Sequence, residues 1–526
     1  MRLAAAGLAL VLLGGCGLFG GGSPDEPGGS DEKPTNPLVG WSPVDPAELS
    51  EGGVLRVGID VLPSSFNPAV AAEGALPGRS GLDRLLAPTT GSAVRLGEDG
   101  GWEVDPAYAE SVEVTGDDPL EVRVELQPDA VWQDGSPITS VDMSAWVEAV
   151  AQDEGWDDVE TVEADGDLAY TVRFERVRSD WPLFVYPRLP ADISTDAERF
   201  ADGFAEEPVP SNGPFAITDI DLETGTVTQE PNPRWWGPRP VLDQIVWRLA
   251  TPEVQAEAFA ADELDVAEVV PSSGTDLDAD LLRTATGSRW THLTLNAGGS
   301  GPLADDSVRR AVVQALDREA LAEAGVADLD VPPLVAESVF TVPGQQGHVD
   351  ASDALPAPDA DAAREVLSDV TLRFPVPAGE VTEARAEAVA DQLREAGATV
   401  EVRPVAPEDF VEQVLVPRDF DLLTFSYDAA ILGVAPMESR LRPAGSVDNV
   451  TGVAAGSAEV WEAARVALDP DDRAEAVAAL DAQVLEPLVL VPLTVPPEVL
   501  ALRDGVANYG PSTFLRPDWT RVGLVD

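Results

Sequence analysis

The chain has almost no cysteine, histidine or lysine. Its 526 residues hold one cysteine, Cys16, so no disulfide can form within it. His292 and His348 are the two histidines and lie far apart, which excludes a Cys/His zinc site. Lys33 is the single lysine; every other basic residue is an arginine. Bases are scarce against acids, 33 to 94, for a net charge of −61. Such a surface repels phosphate, which excludes nucleic acid as a partner and a folded body lying on anionic lipid. The acid excess is read as genome composition or salt adaptation, since net charge governs solubility and not fold. Catalytic signatures are missing too. There is no Gly-x-Ser-x-Gly elbow, phosphate loop or dinucleotide fingerprint. With 94 acids, chance carboxylate pairs carry no glycosidase signal. The Asp276, Asp278, Asp280 run meets Leu281 where a calcium loop needs glycine, so it reads as solvated loop. His292, in an expected strand Trp290 to Asn296, has no serine or cysteine nucleophile pattern beside it and reads as structural. The expectation is a protein that is not an enzyme and holds no metal and no cofactor.

What is present starts at the N-terminus. Met1-Arg2 precedes an apolar run, Leu3 to Leu13, of eleven residues. That is too short for a membrane span, which needs about 20, and suits the core of a signal peptide. The run ends in Leu13-Gly14-Gly15-Cys16. Small residues let a peptidase approach the backbone, and the only thiol sits where a lipid would be attached. Residues 1–15 are therefore read as a lipoprotein signal peptide. Residues 16–49 are read as a lipidated flexible tether, rich in Gly, Ser, Pro and acids and too poor in apolar residues to fold. About 30 such residues reach roughly 30 Å as a coil. The expected location is the outer face of the cytoplasmic membrane, with membrane contact through the lipid anchor alone.

The body is too long for one hydrophobic core. Leu55, Val57 and Ile59 alternate in a first strand, followed by a loop with Phe66-Asn67-Pro68. Leu120, Val122, Val124 and Leu126 share one face of a second. Thr139-x-x-Asp142 reads as a capping box opening a helix through Trp146. A hairpin is expected around Thr224-Gly225, and Thr251-Pro252 starts a helix with threonine as cap. From Val370 the pattern is strand, helix, strand, helix, strand, which implies consecutive parallel strands. Val489 to Val495 is a late apolar strand.

Several segments run in one order from about residue 50. They are Gly52-Gly53-Val54-Leu55-Arg56-Val57-Gly58 with Phe66-Asn67-Pro68; Ala130 to Thr139 (AVWQDGSPIT); Ser211-Asn212-Gly213-Pro214-Phe215; Asn232 to Gly237 (NPRWWG); Val308-Arg309-Arg310-Ala311 with Ala315-Leu316-Asp317-Arg318; and Phe420-Asp421-Leu422-Leu423. As a set, behind a lipobox, they resemble the extracytoplasmic solute-binding proteins of ABC importers, family 5, which includes oligopeptide- and dipeptide-binding proteins. The resemblance implies an α/β, two-lobe periplasmic-binding-protein-like fold (type II, cluster C). Lobe I would span 50–251, with an inserted subdomain at about 69–204, and take back residues 488–526. Lobe II, with its βαβ units, would span 252–487. It implies a monomer that binds a small peptide-like solute between the lobes and delivers it to ABC permease subunits. The tether and anchor also resemble actinobacterial relatives linked to phosphatidylinositol mannoside and lipoarabinomannan synthesis. That alternative implies a glycolipid ligand and an envelope factor with no import role.

In peptide-binding members an acidic residue that pairs with the peptide amine lies three places after the aromatic of a Gly-Trp pair. Here Ser426-Tyr427 replaces that pair and Ala430 stands at the acidic position, with Asp428 two residues earlier. Tyr427 and Asp428 are the leading candidates for ligand contact. Phe66 and Asn67 follow the first strand, where a cleft commonly lies. Trp236, with Trp132 and Trp235, either stacks on a ligand or packs a core. Asn212-Gly213 is hinge or turn.

Overall fold

The structure, a computed structural model, describes residues 37–525 apart from 61–62, 71–80, 154, 270–276, 328, 330 and 445–447. The signal peptide, Cys16 and most of the tether lie outside the described residues, as does Asp276; Asp278 and Asp280 are exposed.

Two hydrophobic cores organise the body. The first is built on a seven-stranded sheet in the order Leu282–Ala285, Glu498–Leu502, Val266–Glu268, Val54–Ile59, Gln244–Leu249, Thr226–Pro231, Phe215–Asp221. Val54–Ile59 runs parallel to Gln244–Leu249 and Val266–Glu268; the other pairs are antiparallel. A four-stranded antiparallel sheet, Ala109–Asp117, Leu120–Leu126, Ala169–Phe174, Val159–Ala164, adds to the same core. Here the alternation is expressed in full: Leu120, Val122, Val124 and Leu126 are buried while Glu121, Arg123 and Glu125 lie on the other face. Arg173 and Arg123 neutralise that face, pairing with Glu121 at 2.6 Å and Asp165 at 2.9 Å.

The helix Ser140–Val150 starts as expected. Thr139 N–H donates to the Asp142 carboxylate at 2.7 Å, and the other Asp142 oxygen accepts from Ala191 N–H at 2.8 Å. The helix Pro252–Ala260 forms too, but the Thr251 side chain makes no cap bond to its backbone and meets the Glu253 carboxylate instead.

The second core holds the three-stranded sheet Leu422–Asp428, Arg289–Leu295, Leu490–Thr494 and the parallel pair Thr371–Pro377 with Thr399–Val405. The helix Glu380–Glu395 connects that pair and ends before Gly397, whose φ of +95° is the left-handed stop glycine supplies. The expected run of consecutive parallel strands is corrected beyond this unit. Leu422–Asp428 pairs antiparallel with Arg289–Leu295, because the partner with a matching apolar face comes from earlier in the chain. The late strand forms as Leu490–Thr494 and packs in the second core; the chain rejoins the first sheet only at Glu498–Leu502.

Candidate functional site

A cavity of about 1770 Å³ opens among three groups of segments. Trp146, Trp156, Arg176, Arg178, Asp180 and Phe184 come from the first core's chain. Phe425, Tyr427, Asp428, Met437 and Arg440 come from the end of the Leu422–Asp428 strand and the helix Ala435–Leu441. Phe514, Arg516, Asp518 and Trp519 come from the C-terminal return. Pockets for drug-sized ligands run to about 1,000 Å³, so this one has room for a larger solute.

The aromatic wall is a chain of edge contacts. Trp146 meets Trp156 at 5.8 Å and Trp156 meets Phe184 at 5.2 Å between ring centroids. The Arg178 guanidinium lies 4.2 Å over Phe184 and is fixed by Asp180 at 2.6 and 2.9 Å. Asp158 holds Arg176 at 2.7 and 2.8 Å. Nine arginines and ten carboxylates line the cavity, so its charge is nearly balanced in a chain whose acids outnumber its bases 94 to 33.

Tyr427 packs on His292 with the rings tilted by 31° and 4.2 Å between centroids, and edge-on to Trp290, while Arg440 lies 4.6 Å from its ring on a cation–π contact. Burial raises the Tyr427 phenol pKa, with Arg440 opposing. His292 is fully buried, with Nδ1 3.2 Å from Thr294 Oγ1. Burial pushes its pKa down to about 3, and Arg385 and Arg440 push the same way, so the ring stays neutral as a backing for Tyr427. Asp428 is the register partner of Arg289, whose Nε donates to it at 3.2 Å.

Of the residues singled out from sequence, Tyr427, Asp428 and Trp235 line the cavity. Phe66, Asn67 and Trp236 do not line it. Phe66 is fully buried in the first core. Asn67 is fully buried as well and spends its amide inside the protein, donating to Phe200 O of the helix Ala197–Asp202 at 2.7 Å and accepting from Ala69 N–H of its own loop at 3.0 Å. Trp236 sits behind the wall, its indole N–H on Ala107 O at 2.7 Å and its ring edge-on to Tyr108 at 5.5 Å. Trp132 is core. Gly213 is a close approach: an added Cβ would lie 2.7 Å from Pro88 O.

Sequence reasoning missed Arg178, Arg188, Arg440, Arg516 and the Trp146–Trp156–Phe184 wall. The alternation Arg176-x-Arg178-x-Asp180 after a strand was a usable signal; Arg516 had none, because the return of the C-terminal segment to this cavity is a tertiary fact.

The family model of bacterial extracellular solute-binding proteins, family 5 (middle part), matches residues 103–437. The oligopeptide-binding protein OppA of Mycobacterium tuberculosis is 25% identical over 516 residues, covering 91% of this chain and 86% of OppA. The probable monoacyl phosphatidylinositol tetramannoside-binding protein LpqW of the same species is 28% identical over 333 residues, 59% of this chain and 51% of LpqW. Among solved structures, the periplasmic EDTA-binding protein EppA superposes with a TM-score of 0.79 at 21% identity, covering 94% of this chain and all of EppA. Mixed α/β architecture of the cluster C binding-protein kind thus agrees with the sequence match, and the chain belongs to the bacterial extracellular solute-binding proteins, family 5, a family of binding proteins and not of enzymes.

Proposed function

We propose that this protein captures a peptide or peptide-like solute outside the cell membrane and delivers it to an ABC importer. The observation that carries the reading is the cavity of about 1770 Å³, whose wall mixes aromatic faces with fixed ion pairs. Aromatic faces take side chains of varied shape, while the ion pairs supply polar partners for peptide groups. The likeness to OppA across most of both chains supports it. Cys16 carries a lipid in this reading and holds the body at the membrane. Tyr427 offers the solute a ring edge and a hydroxyl, and Asp428 a carboxylate shared with Arg289.

The likeness to LpqW favours a second reading, a glycolipid ligand in envelope assembly. Native mass spectrometry of the full-length protein from its own host separates them. A series of peptide masses that weakens on Asp428→Ala supports peptide capture. A glycolipid mass, or a co-purifying membrane enzyme without a small molecule, replaces it with the envelope reading.

A further inference from the structure

By composition residues 16–49 read as tether, but residues 37–44 are built into the body. Leu38 and Val39 are 2% and 5% exposed, and Leu38 packs in the second core. Val39 pairs antiparallel with Ser512 of the C-terminal return. Leu38 O accepts from Thr513 N–H at 3.0 Å, and Gly40 N–H donates to Pro511 O at 2.9 Å. Gly40 permits this close approach: an added Cβ would lie 2.7 Å from Thr284 O. Further along, the Asn508 amide grips the Val44 backbone, accepting from its N–H at 2.7 Å and donating to its O at 3.1 Å.

The point of attachment is the passage between the two sheets. Pro37 O accepts from Thr286 N–H at 2.7 Å. Thr286 follows the first-sheet strand Leu282–Ala285 and precedes Arg289–Leu295 of the second core. The return passage, from Leu490–Thr494 to Glu498–Leu502, lies against it, since Gly287 leaves no room for a Cβ beside Pro496 O. From this fixed start the segment runs to the cavity, where Trp41, Pro43 and Val44 line the wall. Trp41 is half-buried and rests on Gly510, where an added Cβ would lie 3.1 Å from the ring. Covering the rest of an indole with a solute is favourable, and a backbone held on both sides of the ring leaves little freedom to lose on binding.

We infer that residues 37–44 are a strap of the solute site and that Trp41 contacts the solute. This rests on the cavity being the solute site proposed above. The chain that leads from Cys16 then enters the body at the site itself and not at a remote face.

The test titrates the full-length protein with a pool of free tripeptides, read by native mass spectrometry, beside Trp41→Ala and Trp41→Phe. Trp41→Ala is expected to bind the pool about tenfold more weakly, and Trp41→Phe, which keeps an aromatic face on Gly510, to recover most of the loss. Should Trp41→Ala fail to fold, Trp41→Leu, which keeps apolar bulk there without the ring, takes its place with the same expectation. Alanine or leucine binding as tightly as wild type overturns the inference while leaving solute capture standing. If the pool does not bind wild type, peptide capture falls, and the apolar dye bis-ANS decides the strap. Dye binding about tenfold weaker in the ringless variant than in wild type keeps Trp41 as a wall of the site; equal binding in both, or none in either, removes it.

Discussion

Asp481 shows how one buried carboxylate can set the shape of a distant wall. Its two oxygens take the Ser338 hydroxyl at 2.6 Å and Val339 N–H at 2.8 Å. Ser338 Oγ in turn accepts from Phe340 and Thr341 N–H, both at 2.9 Å, and Phe340 O receives Ala430 N–H at 2.6 Å beside the cavity. Burial is the largest influence on this group and raises its pKa from 3.8 to about 7 against its two donors. The unfolded chain gives up the proton near 3.8 and the folded chain near 7, so between these values the folded state holds more protons. The contribution to stability is therefore complete at low pH and is lost as pH rises toward 7. Asp481→Asn removes the titration and, with one carbonyl oxygen left, can accept from only one of the two donors, Ser338 Oγ–H or Val339 N–H. Melting curves of wild type and variant should lie furthest apart near pH 4 and converge toward pH 7.5; parallel curves across that range would discard the assignment. None of this was legible in the sequence, where position 481 is a polar residue in an amphipathic helix and its partner is 143 residues away. His292 was legible: with no nucleophile pattern nearby it read as structural, and it is a neutral ring packed under Tyr427.

At the scale of elements, the strand Leu422–Asp428 carries Phe425, Tyr427 and Asp428 to the cavity, and its start is fixed by one clamp. Asp421 accepts from Arg373 backbone N–H at 2.8 Å, Nε at 2.9 Å and Nη2 at 3.0 Å, and its own N–H donates to Arg373 O at 3.0 Å. The Asp421 side chain is 4% exposed and that of Arg373 45%, so the pair is only half desolvated. Asp421→Ala strands the Arg373 N–H and loses a charge-assisted bond. The expected cost is about 2 kcal/mol, below the range for a fully buried pair. Urea unfolding reads it as a lower midpoint at unchanged slope; a midpoint equal to wild type would mean that water replaces the clamp. Strand existence was readable here from the apolar run, as it was for Leu120–Leu126 from strict alternation. Partnership was not: Leu422–Asp428 is joined to Arg289–Leu295 across more than a hundred residues, and a strand's sequence states its faces but not its neighbours.

For the whole molecule, chain from the two cores meets along the rim of the cavity. Ser179 N–H donates to Arg465 O at 2.9 Å, and the Arg465 guanidinium donates to Val177 O at 3.0 Å. Arg465 also pairs with Glu462 on its own helix at 2.5 Å, so its head is held in place to reach across. In a protein that closes on its solute, such contacts favour the closed population and slow release. Arg465→Ala is expected to raise the solute dissociation rate by about tenfold, with a smaller change in the association rate, as read by stopped-flow or surface capture. An unchanged dissociation rate would separate this rim from closure.

The net charge of −61 acts on the same body at longer range. Charges of one sign repel most in the compact state, and salt shortens that repulsion from a Debye length of about 10 Å at 0.1 M to about 3 Å at 1 M. Short ion pairs such as Arg178–Asp180 are largely buried and lose little by comparison. Screening of the repulsion should therefore win, and the melting temperature should rise from low to molar sodium chloride. A fall would mean that the exposed ion pairs, and not the uncompensated carboxylates, dominate the surface. The composition alone left genome composition and salt adaptation open; the structure adds that the bases are not spread evenly to relieve the charge. Nine of the 33 basic residues line one cavity, all of them arginines, where ten carboxylates face them, so fewer are left to relieve the charge elsewhere. If the solute proposed for this cavity is charged, salt should act oppositely on the two, stabilising the fold while weakening the bound solute, and the two responses can be measured on one preparation.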